Sequence, residues 1–479
     1  MSQVFDISGI DSNLKSYSVV DTPSYYRSLF RLALPALAEE TLLLLVSWTD
    51  WWLAGRYLAG DDTKAAMGLM SYLMWLIPCA FAFISIGALA LIARFVGARD
   101  WIQARRIANQ AVGLGLITAV IMTVAMIWLS RPLVEAMQLR DLAAQLAGDY
   151  LLIIVWVVPL IMFEQVGAAC LRGAGDTVTG FAAKSIVVVV NLIVSIVLVT
   201  GWGWFPQLGW TGLALGTAIG HGLGGLIILL VLLRGRAGLK LHPREWAITW
   251  KESKRILTIG IPGGLDIMTL LGSQLVFLSL VNSLGVAAAA AHGLAIQIEA
   301  CAYLPGGAFQ IAAATLAGQF LGAGAPQRAT RAVLTTMLVG GTLICGAGFV
   351  MYWGGERIAE FFSGQTADAT TEMAGKLLRI VAWAMPALSI VMVLGGALRG
   401  AGDTRLSLLV TVIGLFVVRL PLAVLFCFEG EIVRLGNWGL EGFGWGVAGA
   451  WLAMFADLHM RAGLLLFRFV QGGWRKSIH

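Results

Sequence analysis

Charged residues are scarce in this 479-residue chain. Asp, Glu, Lys and Arg together make up 13% of it, whereas 58% of its residues are hydrophobic. A soluble domain carries about 25% charged residues. Together with a mean hydropathy of +0.83, this shortage excludes a soluble globular protein and predicts an integral membrane protein.

The signatures of several other functions are also missing. The five cysteines lie in apolar stretches without a CxxC pair, so we expect no disulfide. There is no HExxH or paired-aspartate motif of an intramembrane enzyme, and no filter-like segment of a channel. The first 20 residues are polar and carry no apolar core or cleavage site, so we expect no signal peptide. We therefore predict neither an enzyme nor a channel, and we expect no cofactor.

One heptapeptide occurs twice. LRGAGDT stands at residues 171–177 and again at 398–404, an offset of 227 positions. Such a match indicates an internal repeat. The same offset relates three further pairs: Pro35 and Pro262, Trp156 and Trp383, and Pro159 and Pro386. The chain therefore consists of two homologous halves.

Each half contains six apolar stretches long enough to span a bilayer, which needs about 20 residues per helix. An even number of spans returns the chain to its starting side, so the halves share one orientation as a parallel repeat. The predicted fold is an all-α integral membrane protein with twelve transmembrane helices in two six-helix lobes. We predict these divisions: an N-terminal tail (1–26), an N-lobe (27–235), a linker (236–255), a C-lobe (256–470) and a C-terminal tail (471–479).

The distribution of Lys and Arg predicts the orientation. Most of the 33 basic residues, among them Lys184 and a cluster at 234–255, are assigned to the side that carries both termini. The positive-inside rule makes that side cytoplasmic, in the plasma (inner) membrane. The net charge of +6 is thus a topology signal, and we expect no nucleic-acid partner.

Three basic residues, Arg379, Arg419 and Arg461, fall inside predicted helices. An unpaired guanidinium is too costly there. We therefore expect Arg419 to face the protein interior and to meet Glu299 or Asp266.

The doubled LRGAGDT segment resembles the multidrug and toxic compound extrusion (MATE) family. Four further segments add to the resemblance: ARFVGARD at 93–100, GWTGLALGT at 209–217, AAAAHGLAIQIE at 288–299 and AGQFLGAGAP at 317–326. The resemblance implies two lobes that form a V around a central cavity. It also implies export of organic cations or amphipathic solutes, driven by inward Na+ or H+. We expect small organic molecules and membrane lipids as the partners of a monomer.

Asp50 is the strongest candidate for ion coupling. A carboxylate inside a bilayer costs several kcal/mol unless it is protonated, paired or hydrated. Asp50, in the sequence SWTDWWLAG, resembles the family's coupling aspartate, and the resemblance adds Asn191 and Thr217 to its site. Removal from water favours a neutral carboxyl, so Asp50 could exchange a proton, or share a Na+ ion with neighbouring oxygens. Hydration near the outer face is the alternative interpretation.

The chain departs from the family at three positions. A further aspartate of one branch is Ser195 here, which leaves the ion open. The acids that other branches carry in the second half are Leu270 and Leu388 here. These departures make a coupling site in the C-lobe doubtful and favour one in the N-lobe.

Further residues are candidates for the cavity, and each also has a structural interpretation as a packing or capping residue. Glu39 lies eleven residues before Asp50, about three helical turns, and so shares its face. We expect Arg172 and Arg399 to be structural or to act in a gate, and His221 and His292 to be packing or hydrogen-bonding residues. The cavity and substrate candidates are Glu39, Glu164, Asp266, Glu299, Trp156 and Trp383, of which the two tryptophans could stack on a flat cation.

The sequence thus predicts a secondary active multidrug exporter that works by alternating access, with Na+ or H+ as the coupling ion. No metal site is expected beyond Na+ at Asp50. The alternative is a lipid or glycan-lipid flippase, which would favour a strongly cationic cavity. The intramembrane charges that the sequence predicts are mostly acidic, which favours the exporter.

Overall fold

The computed structural model describes residues 17–22, 24–58, 60–136, 141–363, 368–435 and 438–476. The remaining residues, which include parts of both predicted tails, lie outside this description. The helices of the first repeat are α1 (Tyr25–Tyr57), α2 (Asp61–Gly97), α3 (Trp101–Ala136), α4 (Asp141–Ile154 continued through Ala168–Ala174), α5 (Val178–Thr200) and α6 (Trp210–Leu233). Those of the second repeat are α7 (Trp250–Ser283), α8 (Val286–Gly322), α9 (Pro326–Ser363), α10 (Ala369–Ala382 and Met385–Ala401), α11 (Thr404–Val412 continued through Leu420–Cys427) and α12 (Gly446–Gln471).

Most of the predicted spans are present as long apolar helices. Within the described residues, ten helices are long and apolar enough to cross a membrane, and the two parts of α10 form an eleventh. The remaining predicted span, α1, is 33 residues long but is not among them. Its apolar sequence is interrupted by Glu39, Glu40 and Asp50. The helix that is less apolar than the others therefore carries two of the candidate acids, Glu39 and Asp50.

The fourth helix of each repeat breaks at the same place. In α4 a 3₁₀ turn, Val155–Val157, precedes Pro159, and the two parts of α10 meet at an angle of 56° just before Pro386. Proline causes such breaks because it lacks an N–H group and clashes with the carbonyl four residues earlier. Trp156 and Trp383 lie at these breaks, with 72% and 66% of their surface exposed.

Two helices also contain a π segment, in which each hydrogen bond joins residues five apart. In α4 it is Phe163–Gly167, and in α11 it is Ile413–Arg419. Such segments are frequent at functional sites. Each of these two carries a buried ionisable side chain, Glu164 and Arg419 respectively.

The LRGAGDT segments end α4 and α10 in turns, as the sequence predicts. Gly175 and Gly402 have φ angles of +97° and +84°, a left-handed conformation that suits glycine. Asp176 then accepts a hydrogen bond from the backbone N–H of Thr179 at 3.0 Å, near the start of α5. Its other oxygen accepts a bond from Arg236 at 2.9 Å, which raises the pKa of that guanidinium.

The chain packs as two compact units. One comprises residues 1–264 with 318–324, and the other residues 265–317 with 325–479. In the first unit α5 packs along α6 and α1, and α2 packs on α3 and on the last part of α4. In the second unit α9 packs on α10, and α12 on α10 and α11, around a core that includes Phe277 and Trp451. The predicted lobe boundaries differ slightly from these units and remain a prediction.

The segment between the repeats is held against α3. The side chain of Asn109 accepts a hydrogen bond from the backbone N–H of His242 at 2.8 Å. Gln110 bonds to the backbone of Glu245, Ala247 and Thr249 at 2.7–3.0 Å. Both amide side chains are buried. These bonds fix the path by which the chain enters α7.

A two-stranded antiparallel sheet connects α11 to α12. Its strands are β1 (Glu429–Leu435) and β2 (Trp438–Phe443). The sequence predicts only an outer loop in this region. In this hairpin the backbone N–H and C=O groups of one strand form hydrogen bonds with those of the other, so they need no other partner.

We predict that Gly225→Ala in α6 destabilises the protein whereas Gly222→Ala does not. A Cβ atom at Gly225 would collide with the backbone carbonyl of Leu160 in α4, whereas at Gly222 the nearest atoms lie at 3.7 Å. Overpacking of this kind costs about 1–3 kcal/mol. Both variants gain the same helix propensity, so thermal unfolding in detergent isolates the collision. Equal melting temperatures would contradict this close packing.

Candidate ion-coupling site

Asp50 lies in a buried polar cluster on α1, α5 and α6. Its Oδ2 atom is 3.5 Å from the hydroxyl of Thr217, which is also 3.2 Å from the carbonyl of Leu213. Asn191 donates its amide to the same hydroxyl at 3.1 Å. Asp50, Asn191 and Thr217 are 5%, 1% and 2% exposed. The structure therefore brings together the three residues that the family resemblance selects.

Tyr150 of α4 is a fourth member of this cluster, and the sequence reading missed it. Its hydroxyl donates to Thr217 at 3.0 Å, and its ring packs against Trp210 at 5.6 Å between centroids. Tyr150 belongs to no motif or repeat that we identified. Only the packing of α4 against α6 reveals its role.

Three buried oxygen atoms at this site have no hydrogen-bond partner among the described residues. They are Oδ1 of Asp50, Oδ1 of Asn191 and Oγ of Ser195. Ser195 lies one helical turn from Asn191 on α5, and its hydroxyl packs against Gly216, the neighbour of Thr217. Buried polar atoms are rarely left unpaired. Carboxylate, amide and hydroxyl oxygens of this kind can accept a proton or surround a small cation.

Acids in the first helix of each repeat form matching ion pairs. Glu39 of α1 bonds to Arg172 at 3.1 Å, and Asp266 of α7 bonds to Arg399 at 3.3 Å. The acids are 227 positions apart in sequence, and so are the arginines. Asp266 also accepts a hydrogen bond from Ser407 at 2.9 Å. We predicted these four charged residues separately, and the structure joins them in two equivalent pairs.

Glu164 lies in the π segment of α4, between two basic side chains. One of its oxygens contacts Nζ of Lys184 on α5, and the other lies 2.8 Å from Nδ1 of His221 on α6. The sequence assigns Lys184 to the cytoplasmic side, but its side chain is 4% exposed and buried within the unit. The assignment to a side of the membrane stays a prediction, whereas the burial of this side chain against Glu164 was not predicted. His221, expected to pack or to form a hydrogen bond, contacts this carboxylate.

The prediction that Arg419 meets Glu299 or Asp266 is wrong. Arg419 bonds to Asp457 of α12 at 2.8 Å, and Arg461 bonds to the same carboxylate at 2.7 Å. Asp457 and Arg461 lie four residues apart on α12, a spacing that brings two side chains together on one helix face. Glu299 is buried on α8, and its charge acts on Arg419 only at longer range. Arg419 reaches Asp457 because α11 packs along α12.

The remaining candidates stay predictions. Trp383 packs its ring edge-on against Tyr352, at 6.0 Å between centroids, and is largely exposed, as is Trp156. His292 accepts a hydrogen bond from the indole N–H of Trp451 at 3.1 Å, which fits its expected packing role.

One contrast sets Asp50 apart. Glu39, Glu164, Asp266 and Asp457 each contact a basic side chain. The side-chain contact described for Asp50 is with a neutral hydroxyl. Of these five acids, Asp50 is the one whose described neighbours leave its charge uncompensated. Glu299 is a further buried acid, and the basic group described near it is Arg419, at longer range.

The fold and this cluster define a multi-pass membrane transporter built from two parallel repeats. A protein-family model, MatE, matches residues 35–197 and 262–425, once in each repeat. The two matches span more than half of the chain, which therefore belongs to the MatE family of multidrug and toxic compound extrusion transporters. The predicted repeat is confirmed.

Relatives of similar length carry names from the same family. The chain is 27% identical to the probable multidrug resistance protein NorM of Thermotoga maritima over 458 residues, which cover 95% of this chain and 94% of the relative. It is 26% identical to the protein of the same name from Bradyrhizobium diazoefficiens over 472 residues, covering 96% and 95%. Multidrug resistance protein MdtK of Yersinia pestis is 25% identical over 445 residues, covering 92% and 94%.

Solved structures share the fold at low sequence identity. A crystal structure of MATE in complex with MaL6 has a TM-score of 0.85 at 19% identity and covers 97% of this chain and 99% of that chain. A MOP superfamily transporter from Pyrococcus furiosus, described as having a binding pocket of reverse polarity, has a TM-score of 0.84 at 19% identity and covers all of both chains. These likenesses confirm the predicted twelve-helix, two-lobe fold class.

We predict that Arg399→Met destabilises the protein more than the double variant Asp266→Asn/Arg399→Met. The single change leaves a carboxylate that is 2% exposed without its guanidinium, at a cost of about 3–5 kcal/mol. The double variant removes both charges. Lys376→Met, which breaks an ion pair exposed by 61% on both sides, is the control and should change little. Thermal unfolding in detergent measures all three. Equal losses in the single and double variants would contradict the pairing.

Proposed function

We propose that this protein is a secondary active exporter that moves organic cations or other amphipathic solutes out of the cell in exchange for inward H+ or Na+. The proposal is supported by its membership of the family, by the names of its relatives and by the cluster around Asp50. It places the protein in the plasma (inner) membrane as a monomer with both termini in the cytoplasm.

The single observation that carries the coupling role is the uncompensated charge of Asp50. The other four acids compared above have basic partners, so their charges are already balanced within the protein. Asp50 is surrounded by neutral groups, and a buried carboxylate is stable there only with a bound cation or proton. The positive charge of the transported ion would balance the carboxylate of Asp50.

Binding and release of the ion would change the charge of the cluster as the transporter alternates between its two states. A proton would neutralise Asp50 directly. A Na+ ion would instead collect the unpaired oxygens of Asp50, Asn191 and Ser195. In either case a membrane potential contributes about 2.3 kcal/mol per charge per 100 mV to transport.

The flippase alternative would favour a strongly cationic cavity. Two largely enclosed bases of the first unit, Lys184 and Arg172, are each held by a carboxylate. Their charges are therefore compensated within the protein, which favours the exporter over a carrier of anionic lipid headgroups.

We predict that Asp50→Asn abolishes ion-driven export while leaving the protein folded. The amide has nearly the same shape but can neither bind a proton nor carry the charge that attracts Na+. Asp62→Asn, which removes an exposed acid at the start of α2, is the matched control and should retain full activity.

The measurement uses purified protein in vesicles, with ethidium as the organic cation and with an H+ or a Na+ gradient imposed separately. The wild type should respond to one gradient, which identifies the ion, and Asp50→Asn should respond to neither. Full gradient-driven transport by Asp50→Asn would rule out the coupling role of this residue.

A further inference from the structure

Glu164, Lys184 and His221 form a second enclosed cluster in the first unit, which the coupling mechanism proposed above leaves unused. The three side chains come from three helices, α4, α5 and α6, and are 4%, 4% and 13% exposed. Both oxygens of Glu164 are engaged, one by the ammonium group of Lys184 and one by the imidazole of His221. We call these residues the Glu164 cluster.

Stability alone does not explain such a cluster. Burying an ion pair costs several kcal/mol per ion in desolvation, and apolar residues of the same size often serve stability equally well or better. The π segment that holds Glu164 also departs from regular α-helical bonding. Departures of this kind are frequent at functional sites.

The Glu164 cluster lies next to the Asp50 site along two shared helices. His221 follows Thr217 by four residues on α6, a rise of about 6 Å on the same face. Lys184 precedes Asn191 by seven residues on α5, or about 10 Å. Thr217 contacts Asp50, so the imidazole is one helical turn away from a member of the ion site.

On its other side the Glu164 cluster approaches the acids of α1. The carboxylate of Glu39 lies against Gly180, one helical turn before Lys184 on α5, so the charge of Lys184 lies near those of Glu39 and its neighbour Glu40. Glu39 in turn bonds to Arg172 in the last turn of α4. The two other helices packed on the π segment add no charge or histidine, since none occurs in residues 65–93 of α2 or 107–130 of α3.

From this arrangement we propose that Glu164, Lys184 and His221 relay protons between Asp50 and the cytoplasmic end of the first unit, which makes H+ the coupling ion. The relay rests on the proposed coupling role of Asp50. Imidazole suits the step next to Asp50 because it has two ring nitrogens, so it can take up a proton on one nitrogen while the other, which faces Glu164, releases one.

Each step of the relay moves one proton and conserves charge overall. Asp50 gives its proton to Nε2 of His221, whose Nδ1 proton passes to Glu164. Lys184 releases a proton towards Glu39 and Glu40 and takes up the proton of Glu164. The net result is one proton moved from Asp50 to the cytoplasmic side, after which the imidazole returns to its starting tautomer.

The test separates proton movement from substrate movement in the full-length protein in vesicles. One assay measures ethidium uptake driven by a proton gradient while a trapped dye records the internal pH. The other measures exchange of ethidium for ethidium at equal pH, which needs no net proton movement. His221→Gln keeps a hydrogen-bond donor for Glu164 but cannot relay a proton. His292→Gln, at a buried histidine of the other unit, is the matched control.

We expect His221→Gln to slow proton-driven uptake and the accompanying pH change by about tenfold or more, with exchange within about twofold of the wild type. His292→Gln should match the wild type in both assays. The double variant Lys184→Met/Glu164→Gln removes both charges together and should lose proton-driven uptake with its melting temperature nearly unchanged.

Two results would overturn the relay. One is wild-type proton-driven uptake in His221→Gln or in the double variant, and the other is an equal loss of both activities in His221→Gln, which indicates a structural role. Inactive Asp50→Asn together with an unaffected His221→Gln would reject the relay and keep the coupling role. Full proton-driven uptake by Asp50→Asn would reject the coupling role itself.

Discussion

The cost of burying charge governs this molecule more than any other constraint. An apolar helix bundle can hold an ionised side chain only where a partner balances it. Here the partners come mostly from different helices, as in the pair of Glu39 on α1 with Arg172 on α4. Each such pair therefore holds two helices together at one point, and it also keeps both side chains in their charged forms. The pair of Asp266 with Arg399 repeats this arrangement at the equivalent positions of the second half.

The two halves keep the same skeleton but distribute charge differently. In the first unit, a neutral shell of Asn191, Thr217 and Tyr150 surrounds Asp50, and an ionised cluster lies one helical turn away. In the second unit, Asp457 forms ion pairs with two arginines, Arg419 and Arg461. The helix breaks and the turns are thus the same in both halves, while the acid with a neutral polar shell of amide and hydroxyl groups, Asp50, lies in the first half.

The first helix, α1, meets two opposing requirements, because it carries acidic side chains and also packs inside an apolar bundle. Its acids lower its apolar character, and yet it packs along α5 and fills its place in the bundle. Two carboxylate oxygens of α1, Oε2 of Glu39 and Oδ1 of Asp50, are buried without a hydrogen-bond partner among the described residues. In the proposed mechanism, neutralising Asp50 lowers the cost of an apolar environment for this part of α1, which would link ion binding to a change in the position of the helix.

Much of the fold could be read from the sequence because it depends on local and periodic signals. Apolar length determined the spans, and the offset of 227, which also relates Pro159 to Pro386, revealed the repeat. The helix breaks beside these prolines were not predicted. The family resemblance selected Asp50, Asn191 and Thr217, which the structure places together. The hairpin between α11 and α12 was not predicted. Its strands are joined by hydrogen bonds between backbone groups, and the pattern of side chains indicates such bonds only weakly.

What the sequence alone determined was therefore the number and repetition of the helices and the class of side chain that matters. Only the tertiary structure decided which charges meet. Lys184 meets Glu164, and Arg419 meets Asp457, because neighbouring helices pack side by side and bring those faces together. Pairing in space depends on helix rotation and contact, and no single stretch of sequence encodes either, which is why both partnerships escaped the sequence reading.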